Sequence, residues 1–290
     1  MCYVGGVKIA LAQIAPVLGD VRKNLELHLK IIDRARKEKA DLVVFPELSL
    51  TGYKLRDLVE TVALDPDAAR EFRVLKTLSR DIGLVLGFVE ERPSEKGMFY
   101  NSAAFLAGGR ILHVHRKVFL PTFGLFEEQR FFAPGRNFRT FATPWGKMGL
   151  MICRDFFHLS PHYLLFAGGA ETTLTISAAP GRGLSEEEGF ASSRMWELMG
   201  ESMGRFAQAF VIYCNRVGFE DGVAFAGGSF VYTPMGESAG RAAYLEPDLL
   251  VREIDLRDVR KARKAWPFKR DDKPEVTLAA LERIVHGYDA

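Results

Sequence analysis

The chain has 290 residues, 48% hydrophobic and 26% charged, with 39 Lys and Arg against 37 Asp and Glu for a net charge of +2. That length and composition fit one large α/β domain or two small ones with ample core, and the charge balance gives no electrostatic case for nucleic acid or a membrane surface as partner. No apolar run is long enough to span a bilayer, and Cys2, Cys153 and Cys214 are too few and too scattered for a disulfide framework, so a reduced, cytoplasmic setting is expected.

In chain order, the opening MCYVGGVKIALAQIAPVLG lacks a basic leading segment and is interrupted by Lys8 and Gln13. It reads as a strand and its exit rather than a signal peptide. Residues 21–39 place Leu25, Leu29, Ile32 and Ala35 or Arg36 at helical spacing, which predicts an amphipathic helix. DLVVFPE is a short buried strand closed by Pro46, residues 66–81 a second helix and IGLVLGFVEE a strand. FYNSAAFLAGG and RILHVHRKV then form a hairpin turning at Gly108-Gly109.

The second half echoes the first. FRTFATPW and KMGLMIC are strands, HLSPHYLLFAGGA is a short helix ending in Gly, and ETTLTISAAP is a strand. A long helix over residues 187–208 follows, then strands in AFVIYCNRVG, GGSFVYTPMGE and LLVREIDLR. Tight hairpins mixed with helical crossovers predict an α/β protein with mixed β-sheets and helices outside, in layers. Residues 1–260 are expected to form one domain, with 261–290 as a C-terminal tail that packs on it or on a partner subunit.

Polar residues at the ends of buried strands are where α/β proteins keep their chemistry. Three such exits stand out, and each is ambiguous alone. Glu47 in VVFPELSLTGY suits a helix-cap carboxylate equally well. Lys117 in ILHVHRKVFLP has the pattern of a solvated strand-end lysine, and Cys153 in GLMICRDFFH that of a small buried hydrophobe. Together they form a chemical set. A thiol nucleophile needs a base, a shielded carboxylate can serve, and a fixed ammonium can stabilise the oxyanion formed at an attacked carbonyl or nitrile carbon.

In these segments the chain resembles the nitrilase, or carbon–nitrogen hydrolase, superfamily, whose catalytic Glu, Lys and Cys occur in that order. FPELSLTGY, HRKVFLPTFGLFEEQRFFAPG and GLMICRDFFHLSPHYLLFAGGAE match its three motifs, and the likeness runs from about residue 7 to 274. The resemblance implies a four-layer αββα sandwich, Cys153 as nucleophile, Glu47 as general base and Lys117 as electrostatic stabiliser. It implies that Glu128 is the second glutamate, which positions lysine and substrate, with neighbouring Glu127 the competing assignment. The Arg154 backbone N–H would serve the oxyanion. TFGLFEEQRFF and TISAAPGRG lean toward the glutaminase domains of glutamine-dependent NAD synthetases, which makes Ser177 a substrate-binding candidate. The reaction implied is cleavage of a small amide through a cysteine thioester, with no metal or organic cofactor. Supplying ammonia to a separate synthetase and true nitrilase activity are the alternatives. A homodimer or larger homo-oligomer is likewise implied.

Arg154 departs from the Glu or Tyr that many relatives carry after the nucleophile, and leaves the substrate open among amides, nitriles, N-carbamoyl compounds and glutamine. Two rival sites weigh less. Cys153, His158 and His162 have a C-x4-H-x3-H spacing suited to zinc, but no fourth ligand completes it. His113 and His115 share a strand face and offer a cysteine–histidine pair, which explains fewer residues. The ATP-pyrophosphatase motif Ser-Gly-Gly-x-Asp-Ser is absent, so ammonia transfer would need a separate partner.

Overall fold

Alternation along strand β1 (Gly6–Gln13) sets the layering. Ile9 and Leu11 point into a core shared with the second half of the chain, while Ala10 and Ala12 face helices. The computed structural model describes residues 6–183 and 190–287. Cys2 and the first residues of the expected 187–208 helix lie outside them.

β1 joins β2 (Leu42–Val44), β3 (Gly83–Glu90), β4 (Tyr100–Ala107), β5 (Arg110–Arg116) and β14 (Asp248–Asp255) in a six-stranded sheet ordered β14-β1-β2-β3-β4-β5. β1, β2 and β3 run parallel, and β4, β5 and β14 pair antiparallel. The second sheet has six strands: β6 (Thr140–Thr143), β7 (Gly146–Ile152), β8 (Thr172–Ser177), β9 (Phe210–Asn215), β12 (Phe230–Tyr232) and β13 (Ser238–Arg241). It repeats the scheme, with β7, β8 and β9 parallel at its centre. Val44, Val85 and Phe105 of one sheet pack against Leu150, Ile176 and Ile212 of the other.

Helix α1 (Val21–Lys37) and α2 (Arg70–Leu78) cover the outer face of the first sheet through Ile31, Ile32, Ala35, Phe72 and Leu75. Helix α3 (Leu159–Ala167) and α4 (Ala191–Ala207) cover the second. The result is the four-layer αββα sandwich with mixed sheets that the sequence predicts. The β4–β5 hairpin turns where expected, because Gly108 and Gly109 both adopt positive φ, 60° and 79°, as a two-residue turn of this hand requires.

Some elements differ from the sequence reading. The second helix spans Arg70–Leu78, shorter than 66–81. The stripe that α1 buries is Asn24, His28, Ile31, Ile32 and Ala35, while Leu25 and Leu29 are half-buried. Two polar residues can occupy that stripe because they have partners. Asn24 bonds the backbone of Val17 and Leu50, and His28 bonds Asn24 O and Ser49 Oγ. A small hairpin, β10 (Val217–Glu220) with β11 (Val223–Ala226), was not read. Residues 257–286 form helices, α5 (Arg257–Ala265), a single turn at Phe268–Asp271 and α6 (Pro274–His286). Tyr163 on α3 reaches Asp272 and Thr277 in this segment.

Candidate active site

Glu47 follows β2, where the chain leaves the parallel centre of the first sheet. It makes room for a tight turn: Leu48 has φ 48°, and a Cβ at Gly87 of β3 would lie 2.2 Å from Leu48 N. Glycine is therefore required at position 87 for close approach. Lys117 follows β5, fixed by its N–H to Asn101 O at 2.9 Å and by Gly135 N–H to its own carbonyl at 2.7 Å. Cys153 follows β7 at φ 44°, a sparsely populated backbone region for a non-glycine residue and one that presents a side chain sharply off the strand end.

The fold brings all three strand exits together. Lys117 Nζ donates to Glu47 Oε1 at 2.7 Å and to Glu128 Oε1 at 2.6 Å, and Glu47 and Lys117 are wholly buried. Asn101 Nδ2 also donates to Glu47 Oε1, and the Ala178 N–H to Oε2, each at 2.7 Å. Tyr53 OH donates to Glu128 Oε1 at 2.6 Å. Glu128, rather than Glu127, is the carboxylate on the lysine; Glu127 forms a loose surface pair with Arg130 at 3.9 Å.

Electrostatics follow from burying two carboxylates, one ammonium and one thiol in a dry site. Burial disfavours the Lys117 ammonium, but the Glu128 and Glu47 carboxylates outweigh it and hold the pKa above the usual lysine range. Burial raises Glu128 to about 7, with Lys117 opposing and Glu47 reinforcing the shift. The Cys153 thiol is pushed up to about 12, by burial first and then by Glu47, against the pull of Lys117. Burial and the Glu47 carboxylate thus favour the neutral thiol at Cys153. Thiolate ultraviolet absorbance, taken as the difference between wild type and Cys153→Ala, should stay absent up to about pH 9. A thiolate that titrates in near or below the ordinary cysteine range would contradict this electrostatic picture.

Ser177, the last residue of β8, is fully buried, and its hydroxyl exerts a weak lowering influence on the Cys153 thiol. Its Oγ makes no hydrogen bond of good geometry, and nor does the neighbouring Tyr213 OH. Arg154 occupies the second position of the short helical turn Cys153–Phe157. Backbone N–H groups in a first turn have no intrahelical acceptor. An open pocket of about 480 Å³ rises over Cys153, walled by Pro121, Phe123, Phe126, Phe157 and Trp196.

The residues that sequence reasoning missed are those that hold the set in place. Asp155 Oδ1 accepts from the N–H groups of Val118 and Phe119, just beyond Lys117, at 3.1 and 3.0 Å. Its Oδ2 accepts from Ile152 N–H at 3.1 Å and lies 2.8 Å from His115 Nε2. One buried carboxylate thus ties the lysine exit to the cysteine exit. Glu220 accepts the Tyr53 N–H at 2.9 Å and is itself fixed by the buried guanidinium of Arg216 at 2.6 Å.

The rival sites do not assemble. His115 is committed to Asp155 and His113 stacks on Phe141, so neither is bonded to Cys153. His162 donates to Phe156 O at 2.7 Å and His158 stacks on Phe119. Among the described residues no group of three or more His, Cys, Asp or Glu is placed to hold a metal ion, and no helix is long and apolar enough to cross a membrane. Cys214 is the structural cysteine: fully buried, its thiol donates to Val44 O between the sheets.

Comparison with known proteins agrees with this geometry. The carbon-nitrogen hydrolase family model matches residues 8–264. The chain is 34% identical over 253 residues to a glutamine-dependent NAD(+) synthetase of Acinetobacter baylyi, covering 87% of this chain and 45% of that protein. It therefore spans under half the length of that relative. It is 31% identical over 262 residues to a nitrilase of Pyrococcus abyssi, covering 89% of this chain and 93% of that one. The structure of a carbon-nitrogen hydrolase from Helicobacter pylori G27 matches with a TM-score of 0.82 at 27% identity, over 96% of this chain and 99% of its own. On a family match across most of its length, and a full-length relative above 30% identity, the chain belongs to the carbon–nitrogen hydrolase family, within the nitrilase superfamily.

Proposed function

We propose that the protein hydrolyses the carbon–nitrogen bond of a small amide through a thioester on Cys153. The observation that carries this reading is the buried Lys117, held between Glu47 and Glu128 beside a cysteine in a strained turn at the base of an open pocket. Both lone pairs of Glu47 Oε1 are engaged, by Asn101 and Lys117, whereas among the described residues Oε2 accepts only the Ala178 N–H. Oε2 is thus the oxygen available for the thiol proton. With the thiol resting neutral, proton transfer to Glu47 accompanies attack of sulfur on the amide carbon instead of preceding it.

The Lys117 ammonium and the Arg154 N–H stabilise the oxyanion. Glu47 returns the proton to the departing nitrogen as the C–N bond breaks, releasing ammonia or an amine. Glu47 then takes a proton from water, whose oxygen attacks the thioester; the acid leaves and the thiol is restored. Glu128 orients Lys117 through its paired oxygen and leaves Oε2 without a partner among the described residues, available to a substrate N–H. Ser177, at the end of the neighbouring parallel strand β8, offers its hydroxyl to substrate.

A second reading is glutaminase activity that feeds a separate synthetase. Its support is the match of 87% of this chain to the glutamine-dependent NAD(+) synthetase. Ammonia release from simple amides, ω-amides, N-carbamoyl acids, nitriles and glutamine tests both. Release from amides other than glutamine is expected. Ammonia from glutamine alone would favour the second reading, and turnover of nitriles alone would overturn both.

A further inference from the structure

Two hydroxyls lie buried behind Cys153, Ser177 Oγ and Tyr213 OH, and neither has a hydrogen-bond partner of good geometry among the described residues. A buried donor left unpaired is destabilising. Phenylalanine would fill the space of the Tyr213 ring without that cost, so the phenol oxygen calls for a reason beyond packing. Strand register puts the two hydroxyls on one face. Thr175 of β8 sits opposite Tyr213 of β9, and Ser177 follows Thr175 by two residues. That face looks toward helix α4, because Tyr213 stacks on Trp196 at 4.6 Å, whereas Cys214 points the other way and donates to Val44 O. β7 runs parallel beside β8 with Ile152 opposite Ile176, so Cys153 leaves its strand next to Ser177.

Packing fixes the direction of the phenol. The Tyr213 ring stacks on Trp196 and, at 4.7 Å, on Phe230. The Ser177 hydroxyl acts on the groups at both of its sides. It pulls the Cys153 thiol down against burial, and it opposes the burial that holds the Tyr213 phenol well above its usual range. The phenol therefore keeps its proton and is a standing donor. Sulfur carries negative charge twice in the cycle above, when the thiol proton passes to Glu47 and when the thioester collapses. Lys117 is committed to Glu47, Glu128 and the oxyanion, while the hydroxyl row approaches the sulfur from β8.

We propose that Tyr213 is a positioning residue in a hydroxyl relay: Tyr213 OH donates to Ser177 Oγ, and Ser177 OH donates to the Cys153 sulfur as that sulfur gains negative charge. Both protons stay on their oxygens, and Glu47 still takes the thiol proton. Ser177 has one proton and two lone pairs. The relay uses the proton and one lone pair, and leaves the other for a substrate N–H. A hydrogen bond to a charged acceptor is stronger than one to a neutral acceptor, so the relay favours the charged sulfur over the resting thiol. The proposal rests on the cysteine-hydrolase reading above and adds how the charge on sulfur is held.

The test uses the full chain as wild type, Tyr213→Phe, Ser177→Ala and the double variant. Alkylation of Cys153 by iodoacetamide at one fixed pH, mapped to its peptide by mass spectrometry, needs the thiolate and no amide, so it separates the sulfur from substrate binding. Ser177→Ala should slow it by about tenfold or more, and Tyr213→Phe by about 3- to 10-fold. In Tyr213→Phe kcat for ammonia release should fall in step, with KM within about twofold of wild type. The double variant should be no slower than Ser177→Ala alone, because Tyr213 acts only through Ser177; a packing role would show no such dependence. Thermal unfolding of Tyr213→Phe should lie at or above wild type, since the change removes an unpaired hydroxyl. Wild-type alkylation in Tyr213→Phe, losses that add in the double variant, or a marked fall in the stability of Tyr213→Phe each overturn the relay and leave amide hydrolysis standing. If wild type releases ammonia from no amide, it is the hydrolase reading that fails, and the alkylation rates still decide the relay.

Discussion

Replacing Cys153 with alanine is expected to reduce turnover by at least ~10⁴-fold, the scale on which removal of a covalent nucleophile acts. The fold should survive. Cys153 lies at the edge of the core, and loss of one sulfur atom removes about 1 kcal/mol of packing, a shift of a few degrees at most in a chain this long. The strained φ of 44° persists, because alanine meets the same steric limit there as cysteine. Thermal unfolding followed with ammonia release checks both halves. A Cys153→Ala protein that retains turnover would remove the sulfur from the chemistry.

Lys117→Met is expected to damage both activity and stability, for separable reasons. Methionine fills the space of the lysine stem but leaves Glu47 and Glu128 facing each other in a dry site with no cation between them. Breaking a buried ion pair from one side costs about 3–5 kcal/mol. Removing an oxyanion stabiliser costs about 10²–10³ in kcat. The double variant Lys117→Met, Glu128→Gln separates the two effects. It relieves the repulsion between carboxylates and should recover much of the lost stability, with coupling of the size seen between contacting residues. It cannot restore the missing ammonium, so its kcat should remain low. Urea midpoints and kcat measured across wild type, the two single variants and the double variant give the cycle. Recovery of activity together with stability would mean that Lys117 serves only as a structural counter-ion.

Much of the layering was legible because hydrophobic alternation reports a face directly. Ile9 and Leu11 against Ala10 and Ala12 is a period-two signal that survives folding unchanged. The site was legible in a different way. Glu47, Lys117 and Cys153 each end a buried strand, and only their joint presence and order pointed to chemistry. The structure places β2 and β5 in one sheet and β7 in the other, and lets those three exits meet at one end of the sandwich.

What escaped the sequence depends on tertiary partners. Asp155 and Asn101 are ordinary polar residues along the chain, and their importance lies in backbone and carboxylate groups dozens of residues away. The polar stripe of α1 was misplaced for the same reason, since Asn24 and His28 are satisfied by the loop after Glu47. A signal was present in one case. Asn101 and Ser102 are hydrogen-bonding residues at the start of an otherwise apolar strand, a pattern that asks for a buried partner.

The central claim is a covalent bond between substrate and Cys153. Intact-mass spectrometry of the wild-type protein quenched during turnover of an amide substrate, followed by peptide mapping, tests it directly. An acyl adduct on the peptide that carries Cys153, absent from Cys153→Ala, is the predicted result. An adduct mapped to Cys2 or Cys214, or turnover in Cys153→Ala, would contradict it.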